Sequence, residues 1–454
     1  MAQRIVICGA GIAGISAAYF LTVHHAVHNV VLVDERPPLS LTSDKSTEAY
    51  RNFWPGPDDS MIALLNRSID LMEEMARATN NRFLLNRRGY VYATAREDVA
   101  ARLVAAAQQA SALGAGPIRV HTTPDHYIPS PPEGFEHAPK GLDILQGRRV
   151  VQAHFPYLNP ETRLVLHVRR AGWLSAQQLG MYMLEMARQH GATLMAGEIV
   201  GVDRQAGRIA RVWVRKEEET RALDADVFVN AAGPFARAVN HLLGVDLPIF
   251  CERHAKLMFN DHRHTVPRDA PLLIWADPQR LPWEDDERSE LAADPDLAWL
   301  LEEMPPGAHV RPEGGAGSSV LLMLWAYHTE PVAPTFPVHV DPLFADVVIR
   351  GMASMIPALH TYFDHMPKPT MDAGYYTKTA ENLPLIGPLP VEGAYIIGAL
   401  SGFGIMAACA AGELLAAHIV GAALPPYAKA FHPARYTVSH LYPTLPAWTS
   451  TWQL

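Results

Sequence analysis

Residues 5–14, IVICGAGIAG, decide the fold, because a short apolar run ends there in the pattern G-x-G-x-x-G. Four apolar residues bounded by glycine predict a buried strand, and the small and apolar residues from 12 to 23 predict a helix directly after it. Gly9 permits the tight turn, Gly11 lets a phosphate approach the backbone, and Gly14 lets the helix pack closely on the strand. The free N–H groups at the start of the helix then favour a pyrophosphate.

A second apolar strand carries the acidic residue that this motif requires. Residues 30–33, VVLV, are typical of a parallel strand that is buried on both faces. Asp34 and Glu35 follow Gly14 by about 20 residues, where a ribose-binding carboxylate is expected. We expect Asp34 to bind the ribose, with Glu35 as second choice. The spacing predicts a dinucleotide site, but FAD and NAD share it.

Composition narrows the class of protein. A chain of 454 residues predicts two domains, and 49% hydrophobic with 19% charged residues is typical of a globular protein. The net charge of -9 disfavours a nucleic-acid partner. The three cysteines, Cys8, Cys251 and Cys409, are far apart, so we expect no metal site, no redox dithiol and a reducing, cytoplasmic compartment. Residues 394–412 are long enough for a membrane span, but their glycines favour a buried strand, a turn and a helix.

The remaining pattern predicts an α/β fold in which one domain is inserted into another. Helices are predicted at 60–78 and 176–190, a loop at 122–141, extended chain at 192–202 and 226–230, antiparallel strands between 250 and 340, and a helical insert near 289–303. Parallel-strand and helical character returns at 394–420. We therefore expect a Rossmann-like domain with a mostly parallel sheet, and an inserted α+β domain with a large antiparallel or mixed sheet. The expected boundaries are 1–85, 167–245 and 370–440 for the first domain, and 86–166 and 246–369 for the second.

Two further segments favour a flavin over a nicotinamide. Residues 43–51 place Lys45, Ser46 and Thr47 just past the ribose acid, where they can contact a diphosphate, although a solvated polar loop is the alternative. Residues 398–406, GALSGFGIM, offer a second glycine-rich helix start far away in the sequence. A second anion-binding helix start suits the electron-rich edge of a reduced flavin.

Together these segments resemble the D-amino-acid-oxidase-like family of flavoproteins, which includes glycine oxidase and sarcosine oxidase. The matching stretches are 5–36, 191–202, 226–236 and 383–421. The last resembles the closing FAD motif of the family in PLIGP at 384–388, GFG at 402–404 and GELL at 412–415.

The resemblance implies a two-domain FAD enzyme in which a large mixed sheet covers the flavin ring. Val200 matches the valine whose backbone holds the adenine. The residues expected to bind FAD are Gly9, Gly11, Ile12, Ala13, Gly14, Asp34, Glu35, Lys45, Ser46, Thr47, Val200, Gly233, Gly402, Phe403, Gly404, Ile405 and Met406.

Two departures from the family change the expectation. Sarcosine oxidases attach FAD through a cysteine, but residues 372–377 contain none, so we expect non-covalent FAD. Those oxidases also carry a lysine over the flavin, in a strand that resembles 322–328, and no lysine occurs there. Either Lys256 substitutes from elsewhere, or the protein is a dehydrogenase that passes electrons to an acceptor other than oxygen.

The implied reaction is oxidation of a C–N bond in a small amine or amino acid, in which hydride passes from the carbon next to nitrogen to flavin N5 and leaves an imine. A carboxylate on the substrate would call for an arginine. Arg51 is one candidate, because the loop after the ribose acid leads toward the flavin. Arg311 is another, because its turn resembles one near the flavin in the family. A salt bridge for Arg51 and a charged turn for Arg311 are the alternatives.

Three more side chains are candidates for the catalytic site. His254 and Lys256 alternate along a strand, which places both on one face. Tyr327 ends an apolar strand of the second domain. A solvated lysine and a tyrosine that bonds a neighbour are the alternatives.

Other classes of function stay open. No second G-x-G-x-x-G and no C-x-x-C occur, which disfavours disulfide reductases. A flavin monooxygenase or other NAD(P)H-linked enzyme, and an electron-relay subunit of a larger complex, remain alternatives. The sequence leaves the substrate, its stereochemistry, the acceptor and the oligomeric state undecided.

Overall fold

The computed structural model describes residues 3–438. The strands are β1 Ile5–Cys8, β2 Val30–Asp34, β3 Ala49–Arg51, β4 Tyr90–Thr94, β5 Ile118–His121, β6 Leu142–Gln146, β7 Leu164–Val168, β8 Ala171–Trp173, β9 Ala192–Ala196, β10 Glu198–Gln205, β11 Arg208–Lys216, β12 Glu219–Asp224, β13 Val227–Asn230, β14 Phe250–Asn260, β15 Leu272–Trp275, β16 Ala308–Pro312, β17 Val320–Leu324, β18 Pro331–Val332, β19 Thr370–Lys378, β20 Leu385–Pro388 and β21 Ala394–Gly398. The helices are α1 Ile12–Tyr19, α2 Thr42–Lys45, α3 Ser60–Ala78, α4 Glu97–Ala110, α5 Arg148–His154, α6 Ala176–Gln189, α7 Ala236–Leu242, α8 Asp285–Ala293, α9 Phe344–Met355, α10 Gly404–Val420 and α11 Ala428–Phe431.

The first sheet has six strands in the order β20-β21-β13-β1-β2-β9, and only β20 runs antiparallel to its neighbour. Helix α1 packs against α10, and a Cβ on Gly412 would lie 2.2 Å from the Oγ of Ser16. The Ser16 hydroxyl donates to the carbonyl of Ala408 at 2.7 Å. Helix α10, from the last part of the described chain, is therefore fixed against α1, the first helix.

The second sheet is large and mixed, in the order β18-β14-β17-β16-β15-β4-β7-β6-β5, with β19 paired to β14. Alternate residues of its strands face opposite ways, as a strand requires. Tyr92 and Ile274 pack in the core shared with the first sheet, whereas Val91 and Leu273 pack in a separate core under α9. The predicted fold class, a parallel dinucleotide-type sheet with a large mixed sheet, is confirmed.

Most predicted elements form where the sequence places them. The helices at 60–78 and 176–190 appear as α3 and α6. The extended stretch 192–202 is two strands, because Gly197 turns the chain with φ +157°. The helical insert begins earlier than predicted, at Asp285, because Glu284 and Glu287 form a capping box there. Strand β19, which the sequence analysis groups with the FAD-binding residues, pairs with β14 in the large sheet.

Residues 394–412 form β21, a short 3₁₀ turn and the start of α10, as predicted. Of the described residues, Ser401–Val420 is the one helical stretch long and apolar enough to cross a membrane, and 78% of its apolar window is buried inside the fold. Such burial is typical of a core helix.

A buried carboxylate ties three strands of the large sheet to the segment that carries Arg51. Asp143 on β6 accepts hydrogen bonds from Arg119 at 2.6 and 2.8 Å, from His121 at 2.8 Å, and from the buried Arg169. Arg169 precedes β8, which pairs with β3 and so positions Arg51. Burial alone would raise the pKa of Asp143, but the hydrogen bond from Arg119 and the charge of Arg169 hold that pKa well below its usual range.

We expect the substitution Asp143→Asn to lower the free energy of unfolding by about 3–5 kcal/mol, since it leaves a buried guanidinium without its counter-charge. Because the folded-state pKa of Asp143 lies well below the ordinary value of 3.8, this stabilisation is present above pH 3.8 and is lost progressively as the pH falls from 3.8 through the lower folded-state pKa. Urea unfolding at pH 7, 5 and 3.5 measures both effects. The control is Asp98→Asn, because Asp98 is exposed and pairs with Arg96 on the surface. An equal loss in both variants would contradict the role given to Asp143.

Candidate functional site

A cavity of about 500 Å³ opens where four parallel strands end. Cys8, Asp34 and Gly398 end three of these strands, and Ala231 follows the fourth. Ligands of open α/β sheets bind at this edge, and the volume suits a cofactor-sized molecule. The sequence-predicted residues that line the cavity are Gly9, Gly11, Ile12, Ala13, Asp34, Glu35, Ser46, Thr47, Val200, Gly233, Gly402, Gly404 and Ile405.

The glycine loop has the geometry that a dinucleotide needs. Gly9 has φ +111°, and a Cβ there would lie 2.4 Å from the carbonyl oxygen of Ala231. A Cβ on Gly14 would lie 2.0 Å from the carbonyl oxygen of Gly9, so Gly14 permits helix packing and does not line the cavity. The backbone N–H of Ile12, at the start of α1, donates to the Oγ of Ser43 at 3.0 Å.

The acid at the end of β2 is fixed by backbone amides. One oxygen of Asp34 accepts from the N–H of Ala10 at 2.7 Å, and the other accepts from the N–H of Arg36 at 2.9 Å. Burial raises the pKa of Asp34, and these two hydrogen bonds oppose that rise. Glu35 instead pairs with Arg36 at 3.0 Å near the surface. The geometry favours Asp34 over Glu35 as the ribose ligand.

Val200 sits at a break in the β10–β11 ladder. Ile199 pairs with Val214 and Gly201 pairs with Trp213, so Val200 is skipped in the register. A bulge of this kind leaves a residue unpaired in the ladder. Val200 also lines the cavity, which suits the backbone contact that the family resemblance implies.

The turn before α10 forms the opposite wall of the cavity. Ala399 and Ser401 adopt left-handed φ values of 52° and 45° there. A Cβ on Gly402 would lie 2.5 Å from the ring of Tyr376, so only glycine fits beneath that ring. Two predicted ligands in this turn and the following helix, Phe403 and Met406, do not line the cavity. Phe403 packs edge-on against Trp54, with ring centroids 5.4 Å apart, and Met406 is buried in the core.

Only some of the residues predicted to bind FAD in the segment after β2 line the cavity. Ser46 and Thr47 line the cavity. Lys45 does not, because its Nζ pairs with Asp44 at 2.9 Å and with Asp372 at 2.8 Å. The sequence could not anticipate this, since Asp372 is far away in the chain.

The large sheet presents a row of polar side chains to the shared core. Glu252, His254 and Lys256 alternate along β14, so the predicted shared face of His254 and Lys256 is what the strand produces. His309 and Arg311 continue the row on β16, and all five side chains are buried. Polar side chains at this depth require specific partners.

Lys256 and Arg311 hold the loop that lines the cavity. The Nζ of Lys256 donates to the carbonyls of Asp44 at 2.9 Å and Ser46 at 3.4 Å. The Nε of Arg311 donates to the carbonyl of Thr47 at 2.9 Å, and its Nη1 pairs with Glu313 at 2.5 Å. Burial lowers the pKa of Lys256.

His254 stacks on a tyrosine that lines the cavity. Its imidazole lies 3.6 Å from the ring of Tyr376, centroid to centroid, with an interplanar angle of 18°. Its Nε2 lies 3.3 Å from the carboxylate of Glu252. Burial lowers the pKa of His254.

Arg51 also belongs to this region. Its side chain is buried, its Nε donates to the carbonyl of Phe53 at 3.2 Å, and its guanidinium lies over the ring of Tyr90. Its positive charge opposes the burial that raises the pKa of Tyr376 to about 12. Together with burial, it lowers the pKa of His309 to about 4.

Tyr327 lies elsewhere. Its ring belongs to an aromatic cluster with Trp299, Trp325 and Phe344, and it does not line the cavity. The strand that precedes it ends at Leu324, so the apolar run gave no information about where Tyr327 would point.

Sequence reasoning missed Ser43, Glu252 and Tyr376. Ser43 lies in the polar segment 43–51, which the sequence already places near the diphosphate, so its segment could have pointed to it. Tyr376 lies in the segment 372–377, whose one feature noted in the sequence is the missing cysteine. Glu252 precedes His254 by two residues, and that spacing on a strand was the available signal. Among residues 3–438, no group of three or more histidine, cysteine, aspartate or glutamate side chains is placed to hold a metal.

The comparisons with known proteins identify the family. The family described as DAO, FAD dependent oxidoreductase, matches residues 4–418, which confirms the resemblance found in the sequence. No curated protein matches by sequence.

Solved structures share the fold over almost the whole chain. L-proline dehydrogenase from P. horikoshii aligns with a TM-score of 0.73 at 18% identity, over 96% of this chain and 98% of its own. Iminodiacetate oxidase from Chelativorans sp. aligns with a TM-score of 0.67 at 18% identity, over 95% and 99%. Glycine oxidase from Bacillus cereus aligns with a TM-score of 0.67 at 14% identity, over 92% and 95%.

We expect Gly11→Ala to weaken FAD binding at least about tenfold, or ~1.4 kcal/mol. Gly11 has an ordinary φ of -74°, so alanine strains no backbone, but its Cβ would enter the cavity 3.3 Å from the Oγ of Ser43. Quenching of FAD fluorescence by the apoprotein measures the affinity. The matched control is Gly317→Ala, because Gly317 is exposed and a Cβ there would contact nothing. Equal affinities in the two variants would exclude a cofactor beside Gly11.

Proposed function

The chain belongs to the DAO family of FAD-dependent oxidoreductases, and on that premise we propose that it oxidises the C–N bond of a small amine or amino acid that carries a carboxylate. Family members act on C–N bonds as oxidases and dehydrogenases. Similar structures are named for proline, glycine and iminodiacetate, and each of these compounds is an amine with a carboxylate.

One observation carries the proposal: a row of buried polar side chains on the large sheet contacts the loop and the tyrosine that line the cofactor cavity. A purely structural interface would bury apolar residues there, because buried charges cost free energy unless they are paired. Lys256 and Arg311 contact the loop that lines the cavity, and His254 stacks on Tyr376, which lines it. These side chains would give a substrate a polar site between the large sheet and the cofactor cavity.

We assign the substrate carboxylate to Arg51. Its planar guanidinium suits a carboxylate, and strand β3 holds it beside Tyr90 with 2% of its surface exposed. Its charge acts on the pKa of Tyr376, which lines the cavity, and of His309 in the polar row, and this supports the assignment although Arg51 itself does not line the cavity. Arg311, the other candidate, already binds Thr47 and Glu313 and is better explained as a support of the loop.

Flavin supplies the chemistry of hydride acceptance when FAD is bound, so the protein residues have to bind, orient and exclude water. Arg51 orients the substrate through its carboxylate, and Tyr376 covers the turn that begins α10. Positioning of this kind supplies roughly several kcal/mol of the barrier reduction.

We also propose that the chain divides into an FAD-binding part around the first sheet and a substrate part around the large sheet. The pairing of β19 with β14 supports moving residues 370–378 from the first part to the second. The same argument moves residues 167–168, the end of β7, to the second part, and the other boundaries stay as the sequence predicts.

The FAD is proposed to be non-covalent. Cys8, Cys251 and Cys409 are all free and buried, which suits a reducing compartment such as the cytoplasm. Burial raises the pKa of Cys8, which lines the cavity, to about 12, so it stays a poorly reactive thiol. Acid precipitation is therefore expected to leave all of the flavin in the supernatant and a colourless pellet. Flavin that stays with the pellet would overturn this assignment.

The function is tested by anaerobic titration of the yellow protein with amino acids, N-methyl amino acids and simple amines. We expect an amine with a carboxylate to bleach the visible flavin absorbance, and the matching amine without a carboxylate to bleach it poorly. Readmitting air then distinguishes an oxidase, which recovers its colour, from a dehydrogenase. Flavin that no amine bleaches would contradict the proposal, and rapid NAD(P)H consumption would indicate a monooxygenase.

The matched variants for this titration are Arg51→Lys and Arg82→Lys. Lysine keeps the charge at position 51 but loses the two-point contact, so we expect the half-saturating concentration of the carboxylate substrate to rise by about tenfold. Arg82 pairs with Glu185 at the surface, and its variant is expected to behave like the wild type. A normal response from Arg51→Lys would remove Arg51 from the substrate site.

A further inference from the structure

The imidazole of His254 is held in one defined environment. Its side chain is 2% exposed, and the ring of Tyr376 covers one of its faces. Strand β14 sets it between Glu252 and Lys256 in the polar row, and its contact with the cavity wall is made through Tyr376. Its two ring nitrogens therefore meet different surroundings.

One of these nitrogens is committed to a carboxylate. Nε2 lies 3.3 Å from one oxygen of Glu252, and the other oxygen accepts from the Nζ of Lys378 at 2.8 Å. Burial opposes ionisation of Glu252, but the hydrogen bonds from His254 and Lys378 lower its pKa, so it is a carboxylate at neutral pH. A carboxylate can only accept, and Nε2 therefore carries the proton.

The other nitrogen lacks a partner. With Nε2 protonated in a neutral ring, Nδ1 is an acceptor, and burial keeps the ring neutral by lowering its pKa. Nδ1 is fully buried, and no hydrogen-bond donor reaches it from residues 3–438. A buried acceptor that stays unmet costs free energy, so a molecule with a donor is expected to fill this position in the working enzyme.

The charges nearby define that molecule. Lys378 offsets the negative charge of Glu252, whereas Lys256 and Arg311 add positive charge to the same row of side chains, and the charge of Arg51 acts on the pKa of both Tyr376 and His309. These positive groups disfavour a cationic ammonium, whereas a substrate carboxylate offers no donor to Nδ1. A neutral amine N–H satisfies both conditions.

We propose that Nδ1 of His254 accepts a hydrogen bond from the substrate amine, which selects the neutral amine and orients its lone pair. Glu252 is then a positioning residue that fixes the tautomer. The inference rests on the proposed amine oxidation and adds the group that recognises the nitrogen.

The test compares two ligands on the anaerobic holoenzyme: the amine that best bleaches the flavin, and a thioether carboxylate of the same shape in which sulfur replaces N–H. His254→Phe keeps a ring to stack on Tyr376 but removes Nδ1. We expect its dissociation constant for the amine to rise about tenfold or more, and that for the thioether to change less than about twofold. FAD affinity, measured by fluorescence quenching on the apoprotein, is expected to stay at the wild-type value.

His418→Phe is the matched control, because His418 is another histidine with a buried ring nitrogen that no described residue hydrogen-bonds, and it lies in the last turn of α10, where its ring contacts His432. It is expected to bind both ligands like the wild type. His254→Asn, whose amide oxygen can replace Nδ1, is expected to recover part of the amine affinity and serves if the Phe variant does not fold.

Equal weakening of both ligands in His254→Phe would overturn the inference, because it would mean that His254 only shapes the pocket. Unchanged amine affinity would overturn it as well, because a water would then be what meets Nδ1. Either result leaves the proposed function intact. The proposed function fails only if no amine reduces the flavin of the wild-type protein.

Discussion

The close approach of α1 to the end of β1 is the constraint on which the rest of the site depends. No side chain fits at Gly14, where a Cβ would overlap the carbonyl of Gly9, and none fits at Gly9, where it would overlap Ala231. This approach aims the start of α1 at the cavity. It also brings the amide of Ala10 within 2.7 Å of Asp34 and the amide of Ile12 within 3.0 Å of Ser43. One steric requirement thus fixes the glycine turn, the carboxylate at position 34 and the loop that contains Ser43.

The large sheet buries polar side chains beside that cavity. Their charges must be compensated, because an unpaired buried charge is destabilising. The cations of Lys256 and Arg311 are directed at backbone carbonyls of the loop between α2 and β3. Main-chain carbonyls provide partial negative charge without adding a titratable group. The two sheets are therefore joined at the site by interactions that also shape it.

The sequence was sufficient wherever the physics was local. The G-x-G-x-x-G turn, the acid at position 34 and the amphipathic helix at 60–78 follow from steric limits and periodicity, and all three appear where they were predicted. Partners across the sheets did not follow, because they depend on contacts between distant segments. Lys45 pairs with Asp372, and Tyr327 packs in an aromatic cluster. The residues adjacent to each in the sequence do not predict these contacts.

The five side chains predicted from the sequence to be catalytic have different roles in the structure. Tyr327 is away from the cavity, and Lys256 and Arg311 have partners in the loop that they hold. Lys256 is too committed to the carbonyls of Asp44 and Ser46 to move toward a substrate without releasing that loop. Arg51 and His254 differ because each acts on the environment of Tyr376, the aromatic residue shared by the cavity wall and the polar row. If Arg51 binds the carboxylate and His254 the amine, a small amino acid would be held at both ends. Hydride transfer from the carbon between these two groups requires such positioning.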